Sequence, residues 1–303
     1  MNLRIADLTR AELAQRLARG LDLATGPFRF RITSAEARVA EGLHGLYADF
    51  PVTEEAAPLR DFHVRVERVP GLRRWLRPQI RFMHDAHAPF KPLPAEHALA
   101  SLEWGMNWCI ASYAHHLLSL HAAVLEKNGR AVLLPGEPGA GKSTLTAALA
   151  LSGWRLLSDE IALVRLEDGL LLPLARPVNL KNASIDIIRA RFPEAVYGPL
   201  SRDTHKGAVI HLRPPGDAVA RMAEPALPAW VVFPRWQAGA PARFKPRPRA
   251  GTFVYAAENS FNYSVLGETG FAALRGLIDR SECLDFSYGD LDHALAAFEG
   301  LVT

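Results

Sequence analysis

Residues 136–143 read Gly-Glu-Pro-Gly-Ala-Gly-Lys-Ser, the full pattern G-x-x-x-x-G-K-S, between an apolar run at 131–135 and a helix-forming run at 144–150. Glycines in such a loop let backbone N–H groups turn toward an anion, and the following helix adds favourable partial charge. The lysine can reach the β- and γ-phosphates, and the serine hydroxyl can complete a Mg²⁺ shell. The alternative, a glycine-rich turn that only caps a helix, leaves the match at every fixed position unexplained. The loop therefore predicts binding of a nucleoside triphosphate, with ATP and Mg²⁺ as the expected cofactors.

The predicted nucleotide site is one continuous stretch of the chain. Two of its residues have a second predicted role, Lys142 in catalysis and Ser143 as a metal ligand. The full set assigned to the nucleotide is Gly136, Glu137, Pro138, Gly139, Ala140, Gly141, Lys142, Ser143 and Thr144.

Two adjacent acids, Asp159 and Glu160, end a short predicted strand at 154–158. Asp159 comes 16 positions after Ser143, so one helix and one strand separate them, and we expect the acids on the strand next to the loop. A carboxylate there can accept the proton of an attacking hydroxyl or help to hold Mg²⁺. The ordinary alternative is an aspartate that caps the next turn. The short distance between loop and acids is typical of a kinase that positions a hydroxyl acceptor.

The first part of the chain, residues 1–95, reads as a smaller mixed α/β region. Strands are predicted at 28–32, 62–69 and 80–83 and a helix at 34–47. A proline-rich stretch at 89–94 marks the predicted boundary with a second domain at 96–303. That domain begins with a long predicted helix at 96–120, whose broad apolar face we expect to pack on the part of the chain that follows.

The residues before the glycine-rich loop predict a β-hairpin. Two apolar runs, 121–126 and 130–134, are joined by Lys127-Asn128-Gly129, and Asn-Gly between such runs is the strongest short-range hairpin signal. The strand that leads into the loop therefore has an antiparallel neighbour. The predicted fold is α/β: a phosphate-loop kinase core with a mixed sheet flanked by helices, plus the smaller N-terminal α/β region. Further strands are predicted at 161–166, 170–174, 208–212, 229–233 and 283–288, and further helices at 269–280 and 290–298.

Composition narrows the class of protein. Of 303 residues, 49% are hydrophobic and 22% charged, as in ordinary globular proteins. Cys109 and Cys283 are far apart and form no disulfide or metal pattern, so a reducing cytoplasm is the expected location. The sequence contains no run of about 18 apolar residues, so it predicts no membrane span. The net charge of +3 is too small to indicate nucleic-acid binding. The basic stretch at 243–249 is interrupted by prolines and is interpreted as a solvated loop. The sequence is compatible with a homo-oligomer.

Three segments together resemble the catalytic domain of HPr kinase/phosphorylase, and specifically the divergent bacterial group of HPr-kinase-related kinases. They are His121-Ala-Ala-Val-Leu, the glycine-rich loop, and Leu-Leu-Ser-Asp159-Glu160. The resemblance implies that Asp159 is the base toward an acceptor serine. It also implies that Glu160 interacts with the metal or with a histidine, and that this histidine is His121. This chain has Asp-Glu where the parent enzyme usually has Asp-Asp. The parent's signature for its phosphorylase half and its typical N-terminal domain are not found.

Further segments resemble this group more loosely. Residues 176–181 match an Arg-Pro-x-x-Leu-Lys segment, and 204–215 and 258–263 match two others. Positive side chains near a transferring phosphoryl group stabilise its charge, so Arg176 and Lys181 are predicted catalytic residues, with Lys206 as a further candidate. Each alone is as often a surface charge. His205 and His211 rank below His121. The last group of candidates, Asn259, Asn262 and Tyr263, either lines the adenine or acceptor pocket or caps a helix.

The leading interpretation is an ATP-dependent kinase that phosphorylates a serine or threonine hydroxyl of a protein or peptide. A small-molecule kinase is an alternative, because the short distance between loop and acids fits that class too. A second alternative is not catalytic: an ATP-binding module of a peptide-modifying system.

Overall fold

The computed structural model of the chain describes residues 3–52, 59–71, 76–137, 139–204 and 207–302. Within these ranges the chain forms three sheets, of five, eight and three strands. No helix in the described ranges is both long and apolar enough to cross a bilayer.

Alternating apolar residues build the N-terminal sheet. Its strands, in spatial order, are β1 (Leu21–Thr25), β2 (Phe28–Ser34), β3 (Phe62–Arg68), β4 (Gln79–His84) and β5 (Leu93–Pro94). β2 and β3 are parallel and the other neighbours are antiparallel. Helices α1 (Arg10–Arg19) and α2 (Ala37–Leu46) accompany this sheet. The predicted strands of this region are confirmed, and the predicted helix is confirmed with its start at Ala37 instead of 34.

The largest sheet is mixed, as predicted. Its members are β6 (Leu117–Lys127), β7 (Arg130–Pro135), β8 (Arg155–Ser158), β9 (Ile161–Arg165), β10 (Leu171–Leu172), β14 (Leu227–Trp236), β15 (Arg243–Pro246) and β16 (Glu282–Tyr288). The order is β10-β9-β6-β7-β14-β16-β15, with β8 also paired to β6. β6 and β7 form the predicted antiparallel hairpin, in which Asn128 and Gly129 have φ of 56° and 79°. β14 runs parallel to β7 and to β16. The basic stretch read as a loop contains β15, an edge strand.

Helices cover both faces of this sheet. On β7, Val132 and Leu134 face a core shared with α4 (Lys142–Leu151) and α9 (Leu291–Val302). Leu133 faces the opposite core, shared with α7 (Arg249–Glu258) and α8 (Tyr263–Arg280). The remaining elements are helices α5 (Ala183–Arg191) and α6 (Gly216–Ala220) and the small antiparallel sheet of β11 (Val178–Lys181), β13 (Gly207–Leu212) and β12 (Ser201–Thr204).

The helix predicted at 96–120 is shorter in the structure. Helix α3 spans Ala98–Tyr113, and residues from Leu117 onward belong to β6, where Leu117 to His121 pair with β9. Apolar residues of a buried strand and of a buried helix look alike in sequence, so periodicity alone does not separate them. The prediction was wrong for the last turns of this helix.

Helix α3 packs mainly on the N-terminal sheet, so the expectation that it packs on the part that follows is wrong. Leu102 and Met106 share one core with Phe82 of β4. Ile161 and Leu163 of β9 join the same core. The core that α3 shares with the N-terminal sheet therefore also includes residues of the large sheet. The division of the chain at residue 95 stays a prediction.

The packing of α3 can be tested at Gly105, where a Cβ would stand 2.1 Å from Cε2 of Phe82. We expect Gly105→Ala to lower the free energy of unfolding by about 1–3 kcal/mol, because overpacking outweighs the gain in helix propensity. Gly276→Ala is the matched control, since a Cβ at this helical glycine has no atom within 4 Å. The control should gain up to about 1 kcal/mol. Urea unfolding measures both variants, and an equal gain in both would contradict the close contact.

Candidate active site

The glycine-rich loop connects β7 to α4 and is anchored by the neighbouring strands. Gly139 and Gly141 have φ of 88° and 87°, a left-handed conformation that favours glycine. A Cβ on Gly141 would stand 2.5 Å from Oη of Tyr288, whose hydroxyl donates to the Gly141 carbonyl at 3.1 Å. The N–H of Trp236 donates to the Ala140 carbonyl at 3.0 Å. The left-handed backbone therefore favours glycine at positions 139 and 141. At position 141 the contacts with β14 and β16 also leave no room for a Cβ. Pro138 lies outside the described residues.

Lys142, Ser143 and Thr144 form the first turn of α4, and Lys142 points to His121. Their Nζ and Nε2 atoms are 3.2 Å apart. The hairpin register explains this contact, because Ala122 pairs with Pro135 and His121 therefore lies beside the start of the loop. An ammonium only donates, so Nε2 of His121 accepts and the ring proton is on Nδ1 when Lys142 is charged. Burial lowers the pKa of Lys142, although Asp159 and Glu160 act against this shift.

The acids follow β8, which does not lie next to β7. β8 pairs with β6, where Ser158 is opposite Val124, so β6 lies between the acids and the strand that leads into the loop. The expectation of adjacent strands was wrong, because it assumed a direct crossover and left out the hairpin partner. β6 carries His121, however, so the acids, His121 and Lys142 still approach one another across β6.

Asp159 is a buried carboxylate with one atom held in place. Its Oδ2 accepts a hydrogen bond from the N–H of Asn179 at 2.8 Å. Its Oδ1 is buried and has no hydrogen-bond partner among the described residues. Burial, and after it the Glu160 carboxylate, raises the pKa of Asp159 to about 6, although the Asn179 N–H, Lys142 and Lys181 act in the opposite direction. The carboxylate is therefore ionised at neutral pH but takes up a proton more readily than an exposed one.

Glu160 is oriented by a residue of α3 that sequence reasoning missed. Nδ2 of Asn107 donates to its Oε2 at 2.6 Å, and Oε1 lies 3.7 Å from Nζ of Lys181. Oδ1 of Asn107 accepts from Nη1 of Arg176 at 2.6 Å. Because a guanidinium only donates, the amide of Asn107 has one orientation and must present its N–H to Glu160. No local motif around Asn107 could have indicated this role.

Arg176 bonds to helix α3 and to Tyr47 at the end of α2. Its Nη2 lies 2.6 Å from Oε2 of Glu103, and both side chains are buried. The hydroxyl of Tyr47 donates to Oε1 of Glu103 at 2.7 Å and accepts from Nε of Arg176 at 3.3 Å. Burial strongly raises the pKa of the Tyr47 hydroxyl. These contacts make Arg176 the centre of a network that reaches Glu160 through Asn107.

The acids and this network line one small cavity of about 20 Å³, room for about one water molecule. Asp159, Glu160, Asn179, Arg176 and His211 line it. Burial lowers the pKa of His211, so its imidazole is neutral at pH 7. The sequence ranked this histidine below His121, although the structure places it in the lining of the same cavity as Asp159. The candidates His205 and Lys206 lie outside the described residues.

Asn259, Asn262 and Tyr263, candidates for a pocket, lie where α7 ends and α8 begins. Asn262 is buried, and its amide binds the backbone of Leu117 and Ser119 at 2.7 and 2.9 Å. Nδ2 of Asn259 donates to the Tyr255 carbonyl at 2.9 Å, and its own carbonyl accepts from the N–H of His121. These two asparagines therefore hold the start of β6, and with it His121.

No protein-family model and no curated protein matches the chain. Among solved structures, the HPr(Ser) kinase/phosphatase of Coxiella burnetii aligns with 61% of this chain and 93% of its own, at 13% identity and a TM-score of 0.26. An overlap of this size carries no argument about the activity of the chain.

The buried acid makes stability depend on pH in a predictable direction. Since folding raises the pKa of Asp159 from 3.8 to about 6, the folded protein binds this proton more tightly, and stability falls as the pH rises from 4 through 6. We expect Asp159→Asn to stabilise the ligand-free protein by about 1–3 kcal/mol above pH 7 and by little near pH 4.

Thermal unfolding at several pH values measures this difference. Asp168→Asn is the matched control, because Asp168 is exposed and its hydrogen bond with Arg165 holds its pKa at about 2. Its removal should lower stability at neutral pH, the opposite sign. A wild type and Asp159→Asn variant with parallel pH profiles would contradict the raised pKa.

Proposed function

We propose that the chain is an ATP- and Mg²⁺-dependent kinase that transfers the γ-phosphoryl group to a serine or threonine hydroxyl of a protein or peptide. One observation carries the proposal. The lysine of the G-x-x-x-x-G-K-S loop lies 3.2 Å from His121, and the charges of the buried Asp159 and the partly exposed Glu160 act on its pKa. A phosphate-binding cation and a candidate base thus occupy one site.

In this proposal the loop binds the triphosphate. The left-handed glycines Gly139 and Gly141 bring backbone N–H groups to the N-terminus of α4, where the helix adds favourable partial charge for an anion. Lys142 binds the β- and γ-phosphates. Phosphate oxygens would also raise the lowered pKa of this lysine, because they offset the effect of its burial.

Asp159 acts as the base. Its Oδ2 is held by the Asn179 N–H, which leaves Oδ1, without a hydrogen-bond partner in the described part of the chain, for the acceptor hydroxyl. The hydroxyl proton passes to Oδ1, the hydroxyl oxygen forms a bond to the γ-phosphorus, and the bond from that phosphorus to the bridging oxygen breaks. ADP leaves with the electron pair of that bond. Lys142 and Lys181 stabilise the charge on the transferring group.

The residues present fit a Mg²⁺ ion. Glu160 and Ser143 offer carboxylate and hydroxyl oxygens, the ligands that Mg²⁺ prefers, and Mg²⁺ commonly takes only one or two carboxylates beside phosphates and water. When bound, the ion neutralises charge on the β- and γ-phosphates. Asn107 and Lys181 hold the Glu160 carboxylate in place for this role.

Incubation with γ-labelled ATP and candidate acceptors tests the proposal. Label on a peptide supports it, label on a metabolite indicates a small-molecule kinase, and label only in slowly released phosphate indicates an ATP-binding module. Lys142→Ala should abolish transfer, because the loop then lacks the ammonium group that binds the β- and γ-phosphates. Lys245→Ala, on the exposed edge strand β15, is the matched control and should keep full activity. Wild-type turnover in Lys142→Ala would contradict the phosphate-loop assignment.

Titration of Mg²⁺ separates the roles of the two acids. Asp159→Asn should lower the rate by about 10²- to 10⁴-fold, as expected for loss of a general base, with almost unchanged nucleotide affinity. Glu160→Gln should weaken Mg²⁺-dependent nucleotide binding, and added Mg²⁺ should partly restore it. Rescue of Asp159→Asn by Mg²⁺, without rescue of Glu160→Gln, would mean that the two roles are reversed. Location in the cytoplasm and a homo-oligomeric state remain predictions from sequence.

A further inference from the structure

Trp236 is a large aromatic residue exposed beside the glycine-rich loop. It ends β14 and is 52% exposed, although tryptophan is usually well buried. Its N–H donates to the Ala140 carbonyl, and its Cβ lies only 3.0 Å from the position of a Cβ on Gly141. The core contacts that explain the other aromatic residues of this sheet do not account for an exposed indole at this point.

The backbone around Trp236 is fixed on both sides. Besides the bond to Ala140, the next residue, Gln237, donates its N–H to the carbonyl of Tyr288 at 2.8 Å. Trp236 itself is paired with Tyr288 across the parallel strands β14 and β16. A ligand that contacts this indole would therefore meet a residue whose position is already set, with little backbone entropy to lose.

The order of the strands places the acids and Trp236 on opposite sides of the glycine-rich loop. His121 on β6 and the acids after β8 lie on one side of β7, whereas Trp236 on β14 lies on the other. In the proposed function the γ-phosphate faces the acids. A triphosphate that crosses the loop then directs its α-phosphate and nucleoside away from the acids, toward β14.

We propose that Trp236 is the platform on which the purine base of the nucleotide stacks. This inference rests on the proposed nucleoside triphosphate site and adds the subsite for its base. The indole offers a flat apolar face, and a nucleobase offers the matching π-face. Stacking would hold the base at the β14 side while the loop holds the phosphates.

Calorimetric titration with ATP and with inorganic tripolyphosphate tests this subsite. Stacking on an aromatic side chain typically contributes about 5- to 150-fold in affinity per base. Trp236→Ala should weaken ATP binding by that factor and leave tripolyphosphate binding within about two-fold, because tripolyphosphate has no base. Trp236→Phe, which keeps an aromatic face, should restore most of the affinity for ATP.

Leu227→Ala is the matched control, since Leu227 is 56% exposed at the opposite end of the same strand. It should change neither affinity. Unchanged ATP binding in Trp236→Ala, or equal loss for both ligands, would overturn the stacking role while leaving the phosphate site intact. A wild type that binds neither ligand would overturn the proposed function and this subsite together.

Discussion

The buried ion pair between Arg176 and Glu103 holds the acidic side of the candidate site in place. The two side chains are only 5% and 4% exposed, and removal of two charges from water is tolerated only where their polar atoms are bonded. Tyr47 and Asn107 meet that requirement. Loss of one partner of such a pair typically costs about 3–5 kcal/mol, because it leaves a buried charge. The pair therefore fixes α2, α3 and the segment before β11 relative to one another.

The ion pair is one of two separate supports of the candidate site. On the side of the acids, Asn107 bonds to both Arg176 and Glu160. A helix packed on the N-terminal sheet therefore orients the carboxylate that follows β8. On the other side, the backbone of β14 and the hydroxyl of Tyr288 hold the glycine-rich loop. A structural change in the N-terminal part of the chain should therefore alter the position of the acids without altering the conformation of the glycine-rich loop.

Local signals made part of this structure predictable from sequence. The hairpin before the loop follows from Asn128-Gly129, because few other dipeptides adopt two positive φ angles. By contrast, the partner of Glu160 is 53 positions away at Asn107, and a single sequence gives no signal for such a contact. The position of β8 was misjudged for a related reason. Which strand pairs with which depends on tertiary packing, and β6 accepts both β7 and β8 as partners.

Burial affects Asp159 and Lys142 in the same way, since it favours the neutral form of each. For Lys142 a bound phosphate offsets this effect. For Asp159 the effect helps the proposed reaction, because uptake of the hydroxyl proton removes a buried charge. A pKa of about 6 keeps this carboxylate ionised at pH 7, yet makes it a stronger base than an exposed aspartate. The same burial that destabilises the folded chain around Asp159 would thus provide the driving force for proton transfer.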